Sequence, residues 1–217
     1  MITHRFIERQ LTVPLLARLP NLFHGAHKLC REVLRDNPCL AVPSLQIGDI
    51  RNAAIDFTLN THIKAGKYDG ISVSFRDFFK PTGKYLHIET PSAILTVSHV
   101  ARPGDLPRHA EFRKNACEAN SPYLFKEMEE ERKREEKAAA IIEKKAHLLI
   151  IYGDQSMEFM FVGAMRRNET GWLQAPMDLL NRPRLIADDD VEGKGASITM
   201  DVKEQFAQHL SENAPAE

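Results

Sequence analysis

An unbroken run of nine charged residues, Glu129 to Lys137, constrains this chain more than any other stretch. It reads EEERKREEK and sets Glu129 with Lys133, Glu130 with Arg134 and Arg132 with Glu136, opposite charges at helical spacing. A helix built this way needs no core beneath it, and at about 1.5 Å per residue it spans roughly 13 Å without an apolar contact. Ten residues later the chain turns into His147-Leu-Leu-Ile-Ile-Tyr152, a strand pattern. A long, solvated helix therefore separates two parts of a β-sheet.

The periodicity before and after this helix defines the rest. Leu22, Phe23, Ala26, Leu29, Cys30, Val33 and Leu34 recur at three- and four-residue steps between Pro20 and Pro38, which predicts an amphipathic helix. Ile47, Ile50, Ala54, Phe57 and Ile63 predict a second, ending near Gly66, so that the two form a hairpin. Alternation then replaces helical spacing. Ile71, Val73 and Phe75, then Tyr85 to Ile88, then Ala93 to Val100 read as three antiparallel strands separated by Pro81-Thr-Gly83 and Thr90-Pro91. His147 to Tyr152 and Met157 to Val162 read as two more. The expected fold is α+β: a helical N-terminal hairpin, a mostly antiparallel sheet of about five strands, and the charged helix inserted between strands three and four. The expected division is a helical lobe over 1–43, an α+β core over 44–185 and an acidic, partly disordered segment over 186–217 that holds one last helix near Val202 to Leu210.

Of 217 residues, 43% are hydrophobic, enough for a substantial core. The three cysteines, Cys30, Cys39 and Cys117, form no CxxC pair, and no apolar window reaches membrane-spanning length; a reducing, cytoplasmic setting is expected. The net charge of -1 conceals a gradient, with residues 1–125 at +5 and residues 147–217 at -6. A mildly basic body of this kind accommodates an anionic partner without the charge density of a dedicated nucleic-acid binder.

Helix, three strands, helix and strand is an element order that resembles the restriction-endonuclease-like nucleases. That resemblance implies carboxylates converging on Mg²⁺ with a lysine beside them. The residues in position are Asp77, Glu89 and Lys84, or Lys80 in place of Lys84, with Asp69 or Asp56 as a third oxygen ligand. The chain departs from the pattern where Glu89-Thr90-Pro91 replaces Glu-x-Lys. His24, His27, Cys30 and Cys39 contain zinc-ligand types, yet Cys30 falls on the apolar stripe, and a core cysteine beside two surface histidines is the reading adopted. No metal site or catalytic set is complete in the sequence, and no cofactor is expected unless the nuclease alternative brings Mg²⁺. The arginine-bearing segments are the strongest binding candidates: Arg102, Arg108, Arg113 and Lys114 in one stretch, Arg166 and Arg167 in another. Guanidinium groups match phosphate in shape and charge, and Phe112, Tyr123 and Trp172 add stacking faces. The expectation is a non-enzymatic cytoplasmic binding or regulatory module, of a kind that bacterial or mobile-element genes encode, engaging nucleic acid or a protein partner. The alternatives are a divergent Mg²⁺-dependent nuclease and an oligomerising interaction protein whose charged helix pairs with a partner.

Overall fold

A computed structural model describes residues 2–37, 47–66, 68–77, 84–120, 145–153, 157–167, 169–182 and 200–212. The charged run 129–137, on which the inserted helix and the oligomer reading rest, lies outside these residues, as do Cys39, Lys80 and Tyr123.

The described residues form five helices and six strands, one strand more than the five expected. Helices α1 (His4–Leu11), α2 (Val13–Asp36) and α3 (Ile47–Ala65) come first, then β1 (Ser72–Asp77), β2 (Lys84–Glu89) and β3 (Ala93–His99). Helix α4 (Glu111–Cys117) and a 3-10 turn (Glu118–Asn120) precede β4 (Ala146–Tyr152), β5 (Met160–Gly163) and the two-residue β6 (Met177–Asp178), and α5 (Met200–Glu212) closes the described chain. The strands lie side by side in sequence order. All neighbouring pairs are antiparallel except β3 and β4, which run parallel and so require the long crossover that contains α4.

Helix α2 begins at Val13, seven residues before Pro20. Pro14 occupies its first turn, where a missing N–H costs nothing, and Pro20 is accommodated inside the helix as a buried residue. Thr12, at φ +54°, makes the corner between α1 and α2, and the Thr3 hydroxyl caps α1 by accepting from the Phe6 N–H. The described residues of α1 and α2 pack onto the sheet. Leu15, Leu19, Phe23 and Leu29 share one apolar cluster with Leu148, Ile150 and Val162 of the sheet. Within the acidic C-terminal segment, α5 sets Phe206 into that same cluster, its ring centroid 5.4 Å from Phe57.

Strand β4 is buried at every position, so the centre of the sheet is covered on both faces, which explains its unbroken apolar sequence. Alternation divides its side chains. Leu148, Ile150 and Tyr152 face the helices α2 and α3, whereas Leu149 and Ile151 join Val100, Cys117, Phe159 and Met165 in a smaller cluster on the α4 side. Among the described residues no helix is long and apolar enough to cross a membrane.

Candidate functional site

The register gives the α4 face an unusual composition. Ser74 lies opposite His87 and Arg76 opposite Tyr85, while Glu89 lies opposite both Ser72 and Ile94, so strand parity turns Ser72, Ser74, Arg76, Tyr85, His87 and Glu89 to one side. Thr96 and Ser98 of β3 and His147 of β4 extend this polar face toward the sheet centre. Helix α4 crosses it, with Phe112 stacked on Tyr85 at a centroid separation of 4.2 Å.

Arg113 is the organising residue. It is only 5% exposed, with Nη1 donating to the Arg108 carbonyl at 2.7 Å and lying 3.4 Å from Glu169 Oε1, while Nη2 donates to Ser98 Oγ at 3.1 Å. Burial lowers its pKa and the Glu169 carboxylate opposes that shift, so the charge is kept by its partner. Glu169, itself buried, also meets His109 Nδ1 at 2.6 Å. Glu169 adopts φ +53°, a conformation costly for a residue with a Cβ, in a turn where its N–H donates to the Arg166 carbonyl and the Arg166 N–H donates to the Gly171 carbonyl. The strained turn thus inserts a carboxylate between Arg113 and His109. One consequence is that the stretch 102–114 and the pair Arg166 and Arg167 are fastened together.

Of the six anion-contact residues expected from the sequence, Arg113 is turned inward onto the Arg108 carbonyl, Glu169 and Ser98. Arg102, Arg108, Lys114, Arg166 and Arg167 remain exposed. The Arg102 N–H donates to Asp105 Oδ2, Arg166 Nε donates to the Trp172 carbonyl, and Arg167 reaches Glu118 only at 4.0 Å. Phe112 is committed to Tyr85, and Trp172 packs against the α4-side cluster.

The carboxylates of the nuclease alternative are not brought together. Asp77 pairs with Lys84 at one end of the β1–β2 hairpin, and Glu89 lies opposite Ser72 at the other, about 17 Å away at the strand rise. Lys84 shares the parity of Leu86 and Ile88 and so faces the helix side, opposite to Glu89. Asp69 is exposed in the turn before β1, and Asp56 sits on α3, where burial raises its pKa to about 7 against a backbone hydrogen bond from Leu86. The lysine that does meet Glu89 is Lys145, whose Nζ donates to Oε1 at 2.8 Å and to the Thr90 carbonyl at 2.9 Å. This pair holds the Glu89 pKa below the usual carboxylate range, with Arg76 at 3.8 Å adding to it.

Of the two histidines beside Cys30 that were expected at the surface, His24 is exposed, whereas His27 is only 2% exposed. Among the described residues no three His, Cys, Asp or Glu side chains are placed to hold a metal ion. A cysteine and a histidine do meet, Cys117 Sγ lying 3.4 Å from His147 Nδ1, with the Thr96 hydroxyl 2.9 Å from His147 Nε2. Burial pushes the thiol up to about 12 and the imidazole down to about 3, so the pair is neutral and makes no nucleophile. Asn120 completes the arrangement by accepting the His147 N–H and donating to the carbonyls of His147 and Met165. It is a structural lock between the crossover and the sheet.

No family model matches the chain. No curated protein and no solved structure matches it either.

Proposed function

We propose that this protein is a non-enzymatic binding module for nucleic acid, contacting phosphates through the exposed Arg102, Arg108, Lys114, Arg166 and Arg167. The observation that carries this reading is the buried bridge between Arg113 and Glu169, which ties together two basic segments more than fifty residues apart in sequence. A buried arginine that positions exposed ones gives them a defined spacing, which a pair of independent loops lacks. Phosphate contacts of this kind set affinity and register without reading sequence, so binding is expected to be tolerant of base composition.

The test is fluorescence anisotropy with labelled single- and double-stranded DNA at low salt, with Mg²⁺ present. Wild-type protein binds, and the Arg108→Ala/Arg166→Ala/Arg167→Ala variant loses at least about tenfold in affinity. Equal affinity of the two proteins would reject the assignment and leave a protein partner as the alternative. The same samples run on a denaturing gel report cleavage, the outcome that would favour a Mg²⁺-dependent nuclease acting from Glu89 and Lys145.

A further inference from the structure

On the opposite face of the sheet, four elements converge at the carboxyl ends of the parallel pair β3 and β4. His99 ends β3 and Tyr152 ends β4, with their centroids 5.4 Å apart. Helix α2 brings His27 over the same tyrosine ring at 5.9 Å, and the Tyr152 hydroxyl donates to Asn52 Oδ1 on α3 at 2.7 Å, next to Arg51. Among the described residues, the groups whose charges act on His27 are Arg51, His24, Arg31 and His99, all of them basic. Burial and these bases depress the His27 pKa to about 4, which leaves the ring neutral near pH 7. Although His27 is 2% exposed, its Nε2 has no hydrogen-bond partner among the described residues. A buried ring nitrogen without a hydrogen-bond partner among the described residues, near basic groups, is arranged for an acceptor from outside them.

The location has its own significance. In open α/β sheets ligands bind in the crevice outside the carboxyl ends of the parallel strands, and a parallel pair in a mixed sheet presents its strand ends in the same way. Here β3 and β4 are the parallel pair, and consecutive residues of β3 serve the two faces: Ser98 turns to Arg113, His99 to Tyr152.

We propose that the convergence of α2, α3, β3 and β4 is a binding site for the phosphate group of a small molecule, with Arg51 as its counter-charge and the His27 Nε2 as a hydrogen-bonding group. His99 and the exposed His24 and Arg31, whose charges also act on His27, add positive potential. The site is separate from the basic surface proposed for nucleic acid and depends on none of its residues.

The experiment titrates ¹⁵N-labelled full chain with inorganic phosphate and, separately, with a nucleoside 5′-monophosphate, holding ionic strength constant with chloride. Ring nitrogens are followed by long-range ¹⁵N–¹H correlation, and affinities by calorimetry. Either ligand is expected to shift the His27 Nε2 resonance saturably, and Arg51→Gln to weaken binding by at least about tenfold. The tighter of the two ligands identifies whether the phosphate is free or carried on a nucleoside. A His27 resonance that neither ligand moves overturns the proposal without recourse to any variant. So does an Arg51→Gln protein that folds and titrates as wild type does.

Discussion

Arg113 and Glu169 form an ion pair with both side chains only 6% exposed, joining the helix that crosses the sheet to a strained turn beyond β5. Removing one partner of such a pair leaves a charge buried without compensation, which typically costs about 3–5 kcal/mol. Arg113→Ala is therefore expected to destabilise the protein by that amount in urea unfolding. Arg113→Met combined with Glu169→Gln is expected to cost less than the sum of the single changes, by at least about 1 kcal/mol. Additive losses would mean that the two side chains do not act on one another.

The Cys117 thiol is fully buried and its pKa stands at about 12, so at pH 8 only about one molecule in ten thousand carries a thiolate there. Native protein treated with iodoacetamide is expected to remain unmodified at Cys117, and urea-unfolded protein to react fully, as read by peptide mass spectrometry. Asn120→Ala tests the lock around the same histidine. It strands the His147 N–H and two carbonyls, and a loss of about 3 kcal/mol is expected from the desolvation of these groups.

Asp56 makes stability depend on pH in an unusual direction. Its pKa is about 7 in the folded protein and near 3.8 when unfolded, so between these values the native state binds more protons. Its contribution is fully present below about pH 3.8 and is lost as pH rises toward 7. His27 and His147, depressed to about 4 and about 3, act oppositely, their contribution declining as pH falls below 6.5. Asp56→Asn isolates one of these opposing effects. The variant is expected to exceed wild type by on the order of 1–2 kcal/mol at pH 8, with the advantage gone at pH 4, in urea midpoints measured across that range.

What could be read from the sequence followed from how local each signal was. Strand β4 was legible because six apolar or aromatic-rich residues in a row need burial on both faces, and the meander β1 to β3 because alternation and turn residues coincide. The two-residue β6 has no periodicity to read, since Met177 and Asp178 pair with β5 through backbone groups alone. Helix α2 was foreshortened because Pro14 and Pro20 look like breaks, although a proline in a first turn is not one and a buried proline can be carried within a long, well-packed helix. The site was harder. Arg113 in the stretch RPGDLPRHAEFRK resembles any solvated arginine, and what draws it inside is Glu169, 56 residues away. Glu89 stood out as a carboxylate of the nuclease alternative without the lysine of Glu-x-Lys, and the lysine that meets it, Lys145, is placed by the parallel β3–β4 pairing that no local pattern encodes. His27 looked exposed because its helix neighbour His24 is; the sheet beneath it supplies Tyr152.

The exposed arginines carry the final expectation. If Arg108, Arg166 and Arg167 each neutralise a phosphate, each displaces condensed counterions, and the logarithm of affinity falls with the logarithm of salt by about 0.7 per contact on single strands and about 0.9 on duplex DNA. Replacing any one with alanine should flatten that slope by one such increment, and replacing all three by about three. Arg113 behaves differently because its guanidinium is enclosed by Ser98, Glu169 and the Arg108 carbonyl. Arg113→Met in the Glu169→Gln background, chosen to avoid a bare buried charge, is expected to weaken binding by letting the two segments drift apart. Its salt slope falls with the contacts that become misplaced, in a protein whose own charge balance is unchanged, since one positive and one negative group are removed together. A slope indistinguishable from wild type, with binding intact, would show that the bridge stabilises the fold without aligning the arginines.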